Sequence, residues 1–230
     1  MKKTLILILT IIISTQSIFA NDKELQKIQS IQERIDNCAY KILNSNKIEK
    51  RIVFIYSENE KKSILESNSG LTKREVIIYN NKYKFISNSD ELAAYISREI
   101  AISGRAFDGI GNGFLRSLQI KASPKKFEIV ADKKSVDYMV NAGYNPVGLI
   151  TFIHKTSPQR RQDKISNHNL TSKRLAIIYE YIYTKYPYFL KENPYLYTDV
   201  YQNFLLSSIN NRKKLEEKIK TNSKRKLNYE

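Results

Sequence analysis

Among the side chains of this 230-residue chain that could do acid–base or metal chemistry, three carboxylates and two histidines stand out by type and spacing. Glu128 and Asp132 stand four apart and share a face if the segment is helical. Glu99 follows Arg98 in a stretch of helical period, and Ile102 falls one turn after Arg98. His154 and His168 are the two histidines. Carboxylates and neutral imidazoles carry lone pairs for protons or metals. A guanidinium stays protonated and only donates, and an isoleucine offers no lone pair at all. Taken singly, these residues have ordinary readings. Glu99 would be an exposed helix carboxylate, Glu128 and Asp132 a solvated acidic face, and His168 an exposed loop residue. Cys38 is the one cysteine, which excludes an internal disulfide. Among Ile35, Tyr40 and Ile42 it reads as a small buried apolar residue.

Mostly helical elements position these groups. Leu25, Ile28, Ile31, Ile35, Cys38 and Ile42 predict an amphipathic helix over 23–45. Residues 51–56, about 64–69 and 74–79 read as strands of one small sheet. A helix from about Glu91 to Ser103 follows, capped by Ser89 and Asp90 and ended by Gly104. The loop from Gly104 to Pro124 is glycine-rich but lacks the following Gly-Lys-Ser/Thr of a phosphate-binding loop. Further helices are expected over 125–141, 146–155 and 171–186, then from Pro194 to about Lys220. A polar linker, 156–169, carries His168. Helical spacing makes much of the tyrosine-rich run, Tyr179 to Tyr201, core rather than surface. The last ten residues are basic and expected to fray.

The chain is a domain-sized globular sequence with a strong basic surplus, formally +16. Lys2 and Lys3, the apolar run Leu5 to Ile13 and the small residue Ala20 form a secretory signal over 1–20, predicting a periplasmic or extracellular protein. Retention of that segment as an anchor, with membrane association, is the alternative. Loss of 1–20 removes two lysines and leaves +14. The surplus favours an anionic membrane surface, a wall polymer or an acidic protein, with plain solubility as the other reading. Nucleic acid is a poor match, because no recognition motif is present.

Three segments in order carry a resemblance. Residues 90–102 read DELAAYISREIAI; residues 128–132 read EIVAD, followed by NAGYNP at 141–146; residues 166–169 read SNHN, with Arg174 six after His168. This resembles the HtpX, Oma and CAAX-prenyl-protease group of gluzincin metallopeptidases (peptidase family M forty-eight). Its corresponding patterns are (D/E)ELAxVLxHEIxH, ExxAD with AGYDP, and a THP segment followed by Arg. The likeness spans about residues 50–190.

The resemblance implies a predominantly helical α+β fold, a minimal zincin-like domain with a small sheet. It implies an order of signal peptide (1–20), N-terminal helix (21–50), peptidase-like domain (51–190) and C-terminal helical extension with a basic tail (191–230). Glu99 matches the general base, Glu128 the third zinc ligand and Asp132 the carboxylate that orients a ligand. His168 and Arg174 match residues that line the family's active site. Arg98 and Ile102 stand where the family has its two zinc-binding histidines. A catalytic zinc needs three protein ligands, and Glu128 alone is not enough. No metal or other cofactor is therefore expected, with zinc only if the family activity survives. The expected replacement is an ion pair from Arg98 to Glu128, with Asp132 as next choice. The function read from this is an exported, inactive pseudopeptidase holding a polypeptide or partner protein in a former substrate groove. An active zinc metalloendopeptidase and a basic structural protein on anionic envelope components are the alternatives.

Overall fold

The computed structural model describes residues 25–49, 51–58, 69–70, 75–107, 124–157 and 169–230. The expected secretory signal, most of the second expected strand, most of the expected glycine-rich loop and the linker from 158 to His168 lie outside these residues. Within them the fold is α+β and mostly helical.

β1 (Val53–Ser57) and β3 (Glu75–Tyr79) are rich in β-branched and aromatic residues, and alternate side chains are buried. They pair in parallel, with Phe54 opposite Val76 and Tyr56 opposite Ile78, so the apolar sets share one face. β2 (Ser69–Gly70) pairs antiparallel on the far side of β3, giving the order β1-β3-β2. Helix α1 (25–45) buries Ile31, Ile35, Cys38 and Ile42 at the expected period. Burial pushes the Cys38 thiol up to about 11, which keeps it protonated and poorly nucleophilic. Gln32 of α1 treats β1 as a neighbouring strand would. Its Nε2 donates to the Phe54 carbonyl at 2.9 Å, and its Oε1 accepts from the Tyr56 N–H at 2.8 Å. The β1 edge is thereby occupied.

After one turn of helix, α2 (Asn80–Tyr83), comes the central helix α3 (Ser89–Phe107). It begins earlier and ends later than the expected Glu91–Ser103. Asn88, not Ser89 or Asp90, caps it through Oδ1, which accepts from the Glu91 N–H at 3.0 Å. Gly104 does not stop it, because an interior glycine costs only about 1 kcal/mol in a helix. Helices α4 (Pro124–Asn141) and α5 (Val147–Thr156) pack on α3, joined by a turn at Gly143 with φ of +73°.

Polar contacts set the start of α3 against α5. Asp90 Oδ1 accepts from the Asn145 N–H at 3.0 Å, and Lys155 Nζ lies 2.7 Å from the buried Glu91 carboxylate. Gly148 is required here by close approach. A Cβ added to it would sit 2.8 Å from Asp90 Cβ and 2.9 Å from the Asp90 carbonyl carbon. Gly148→Ala should therefore lower stability by about 1–3 kcal/mol, as overpacking of a tight core does. Urea denaturation checks this; an unchanged midpoint would mean that the two helices part easily.

Helices α6 (Thr171–Lys185), α7 (Tyr188–Lys191), α8 (Asp199–Ser207) and α9 (Ile209–Lys220) complete the chain, with Pro187 interrupting as expected. The stretch from Pro194 to about Lys220 is mostly helical as expected, in two helices that begin at Asp199, capped by Thr198, and meet at Ser208. Tyr195, Tyr201 and Phe204 share one core with Ile35, Leu92 and Ile150, so the flanking segments are packed into the body of 51–190. The tyrosine run divides: Tyr195 and Tyr201 are buried, whereas Tyr188 and Tyr197 are exposed. The tail corrects the expectation of fraying. Tyr229 is only 4% exposed and donates its hydroxyl to Glu180 Oε2 at 3.0 Å, while Asn211 Nδ2 donates to the Glu230 carbonyl at 2.8 Å. No helix among the described residues is long and apolar enough to cross a membrane.

Candidate functional site

Three helices bring the singled-out residues together. α3 supplies Arg98 and Glu99, α4 supplies Glu128 and Asp132, and α6 supplies Arg174. Helical geometry places Glu128 and Asp132 one above the other on the buried face of α4, not on a solvated acidic face. They are 5% and 1% exposed, and Glu99 is 3% exposed. Carboxylates so far from water are costly unless charge and hydrogen bonds compensate.

Two guanidiniums provide that compensation. Arg174, buried at the first turns of α6, donates to Asp132 through Nε and Nη2, each at 2.8 Å. This fork-on-carboxylate geometry is the strong form of an ion pair. Its third nitrogen, Nη1, lies 3.3 Å from Glu128 Oε1. Arg98 enters from α3. Its Nε donates to Asp132 Oδ1 at 3.1 Å, Nη2 lies 3.7 Å from Glu128 Oε1, and Nη1 lies 3.8 Å from Glu99 Oε1. Burial opposes the charged form of Arg98, yet the carboxylates of Asp132, Glu99 and Glu128 together hold its pKa above the ordinary arginine value. The cation is permanent.

The order of Arg98's partners differs from the expectation of Glu128 first and Asp132 second: the hydrogen bond goes to Asp132. The neighbour of Glu128 explains why. Asn169 donates to Glu128 Oε2 from its backbone N–H at 3.0 Å and from Nδ2 at 3.1 Å, and its Nδ2 also reaches the Lys125 carbonyl at 2.7 Å. These donors hold Glu128 toward the start of α6, so Asp132 becomes the common acceptor of both arginines. Asn169 belongs to the SNHN segment, in which only His168 matches a family position. Its place beside His168 was the available signal. His168 itself lies outside the described residues.

Ile102 is half-buried one turn along α3 from Arg98. His154 is half-buried on α5, a helix that contributes nothing to this cluster, and burial lowers its pKa. Among the described residues the cluster holds three carboxylates and two arginines, a net single negative charge if all are ionised.

What this arrangement can do follows from its lone pairs. The Asp132 oxygens accept from Arg98 and Arg174, and Glu128 Oε2 accepts from Asn169. A guanidinium faces the remaining Glu128 oxygen. These carboxylate oxygens therefore already face guanidinium and amide donors, and among the described residues no group of three or more His, Cys, Asp or Glu is placed to hold a metal ion. The cluster is a cross-link between α3, α4 and α6. Comparison with known family models, curated proteins and solved structures finds no match.

Proposed function

We propose that this chain is a degenerate member of the gluzincin group that it resembles, an exported pseudopeptidase that binds a polypeptide or partner protein without cutting it. The carrying observation is Arg98, whose guanidinium lies within 3.8 Å of Glu99, Glu128 and Asp132 alike. On the proposed correspondence these are the water-activating carboxylate, the third metal ligand and its orienting neighbour. A fixed cation there supplies the positive charge of a metal and none of its Lewis acidity or bound water. Glu99 then has no activated water to act on.

The groove reading draws on the sheet. Gln32 pairs with the β1 edge, so among the described residues β2 is the strand left outermost, and a bound polypeptide would add beside it. The minimal zincin-like topology and the peptidase boundaries at 51–190 belong to the same proposal.

Cleavage and binding are separable in one experiment. The purified mature protein, given one equivalent of zinc and unfolded casein, is expected to leave casein intact while retaining it in a calorimetric binding titration. Casein fragments that disappear on adding a chelator would establish the active-peptidase alternative instead.

A further inference from the structure

Beside the carboxylate cluster, and sharing Asn169 with it, lies a cleft between α4 and α6. Residues Lys126, Ile129 and Lys133 of α4 form one wall, and Lys173, Ile177 and Tyr181 of α6 the other. Both sets follow the helical period, so each is a continuous stripe. The C-terminal tail, Lys226 to Tyr229, closes a third side. The enclosed volume is about 820 Å³, within the size range of sites that take discrete ligands.

Its chemistry is divided. Isoleucines, Leu227 and tyrosine rings give an apolar lining, and five lysines contribute charge, Lys125 being the fifth. Glu180 is the one carboxylate among the described lining residues, and it is already taken. Its Oε1 receives Lys218 Nζ at 2.7 Å, and its Oε2 receives the Tyr229 hydroxyl. Lysines outnumber carboxylates among the described lining residues, which favours anions.

We infer that this cleft binds a short acidic peptide segment, with carboxylates against the lysines and an apolar side chain between Ile129 and Ile177. Charge complementarity selects an anion. The tail selects a peptide over a lipid surface. Residues 226–229 are a chain segment, neither helix nor strand, already seated against the two helices with Tyr229 buried. A concave site walled on three sides also suits a discrete segment better than a bilayer. The inference rests on the polypeptide-binding proposal for its class of ligand; the place and the charge preference rest on the cleft alone.

The probe is a hexapeptide of alternating glutamate and leucine carrying an uncharged dye, compared with its glutamine and lysine counterparts by fluorescence anisotropy. The glutamate peptide should bind the full-length mature protein at least about tenfold tighter than the glutamine peptide, and less tightly as salt rises. Lys126→Glu with Lys133→Glu should abolish that preference; the milder pair Lys126→Gln with Lys133→Gln should halve it or more, and circular dichroism confirms folding of each. Equal binding of all three peptides, or indifference to the lysine changes, would overturn the cleft while leaving polypeptide binding intact. No binding of any peptide would overturn both proposals. Binding to phosphatidylglycerol vesicles but to no peptide would replace this inference with a membrane contact.

Discussion

Asp132→Ala is expected to cost about 3–5 kcal/mol, the usual loss when one side of a buried ion pair is removed. That is a large part of the 5–15 kcal/mol by which typical domains are stable, so the variant should be mostly unfolded at moderate temperature. Asp132 accepts three hydrogen bonds from two arginines, and its loss leaves Arg98 and Arg174 crowded with only Glu128 and Glu99 to face. The arginine substitutions should rank below it in a fixed order. Arg174→Met removes the forked pair and the 3.3 Å contact to Glu128. Arg98→Met leaves Asp132 still held by Arg174, and Glu128 by Arg174 and Asn169. It takes the guanidinium away from buried Glu99 and should cost about 1.5–3 kcal/mol, the order of one hydrogen bond to a charged group. Urea titration of the three variants reads this ranking directly. If Arg98→Met were the most damaging and Asp132→Ala nearly silent, the cluster would not be centred where the hydrogen bonds place it.

Arg98→His combined with Ile102→His is expected to create a zinc-binding site. The two imidazoles would share a face of α3 one turn apart, and Glu128 stands across from that face on α4. Removing Arg98 also takes away one of the two guanidiniums facing Glu128 Oε1, and Arg174 remains to steady Asp132. Competition from Arg174 and Asn169 for Glu128 will weaken the site relative to an uncrowded one. The expectation is one zinc per chain surviving gel filtration, with a gain in thermal stability that a chelator reverses. Each single-histidine variant should fall short, because neither assembles three ligands. Failure of the double variant to retain zinc would count against the correspondence of α3 and α4 with a former metal site.

What was legible in the residues is what depends on neighbours in sequence. The period of Ile31, Ile35, Cys38 and Ile42 located α1, and the alternation in Val53–Ser57 and Glu75–Tyr79 located the strands. Spacing also placed Glu128 with Asp132, and the order of the segments put Arg98, Glu128 and Arg174 at one site. What was not legible depends on contacts across the fold. That Arg98 hydrogen-bonds Asp132 while Asn169, 41 residues from Glu128, holds that carboxylate is set by the fold. Gly104 reads as a helix stop by composition, but a modest propensity cost does not end a helix such as α3, buried over much of its length. The tail looked like a fraying basic end, and only the fold reveals that Tyr229 finds Glu180 and Glu230 finds Asn211. Its lysines are the visible part of the pattern, and the anchoring residues are single and unpatterned.

The sharpest single test of arginine standing in for a metal is the metal content of the unaltered protein. Purified without chelators, dialysed against excess zinc and then desalted, it should carry less than about 0.1 zinc per chain by plasma mass spectrometry. One tightly retained zinc per chain, lost on Glu128→Gln, would contradict the replacement of the metal by Arg98.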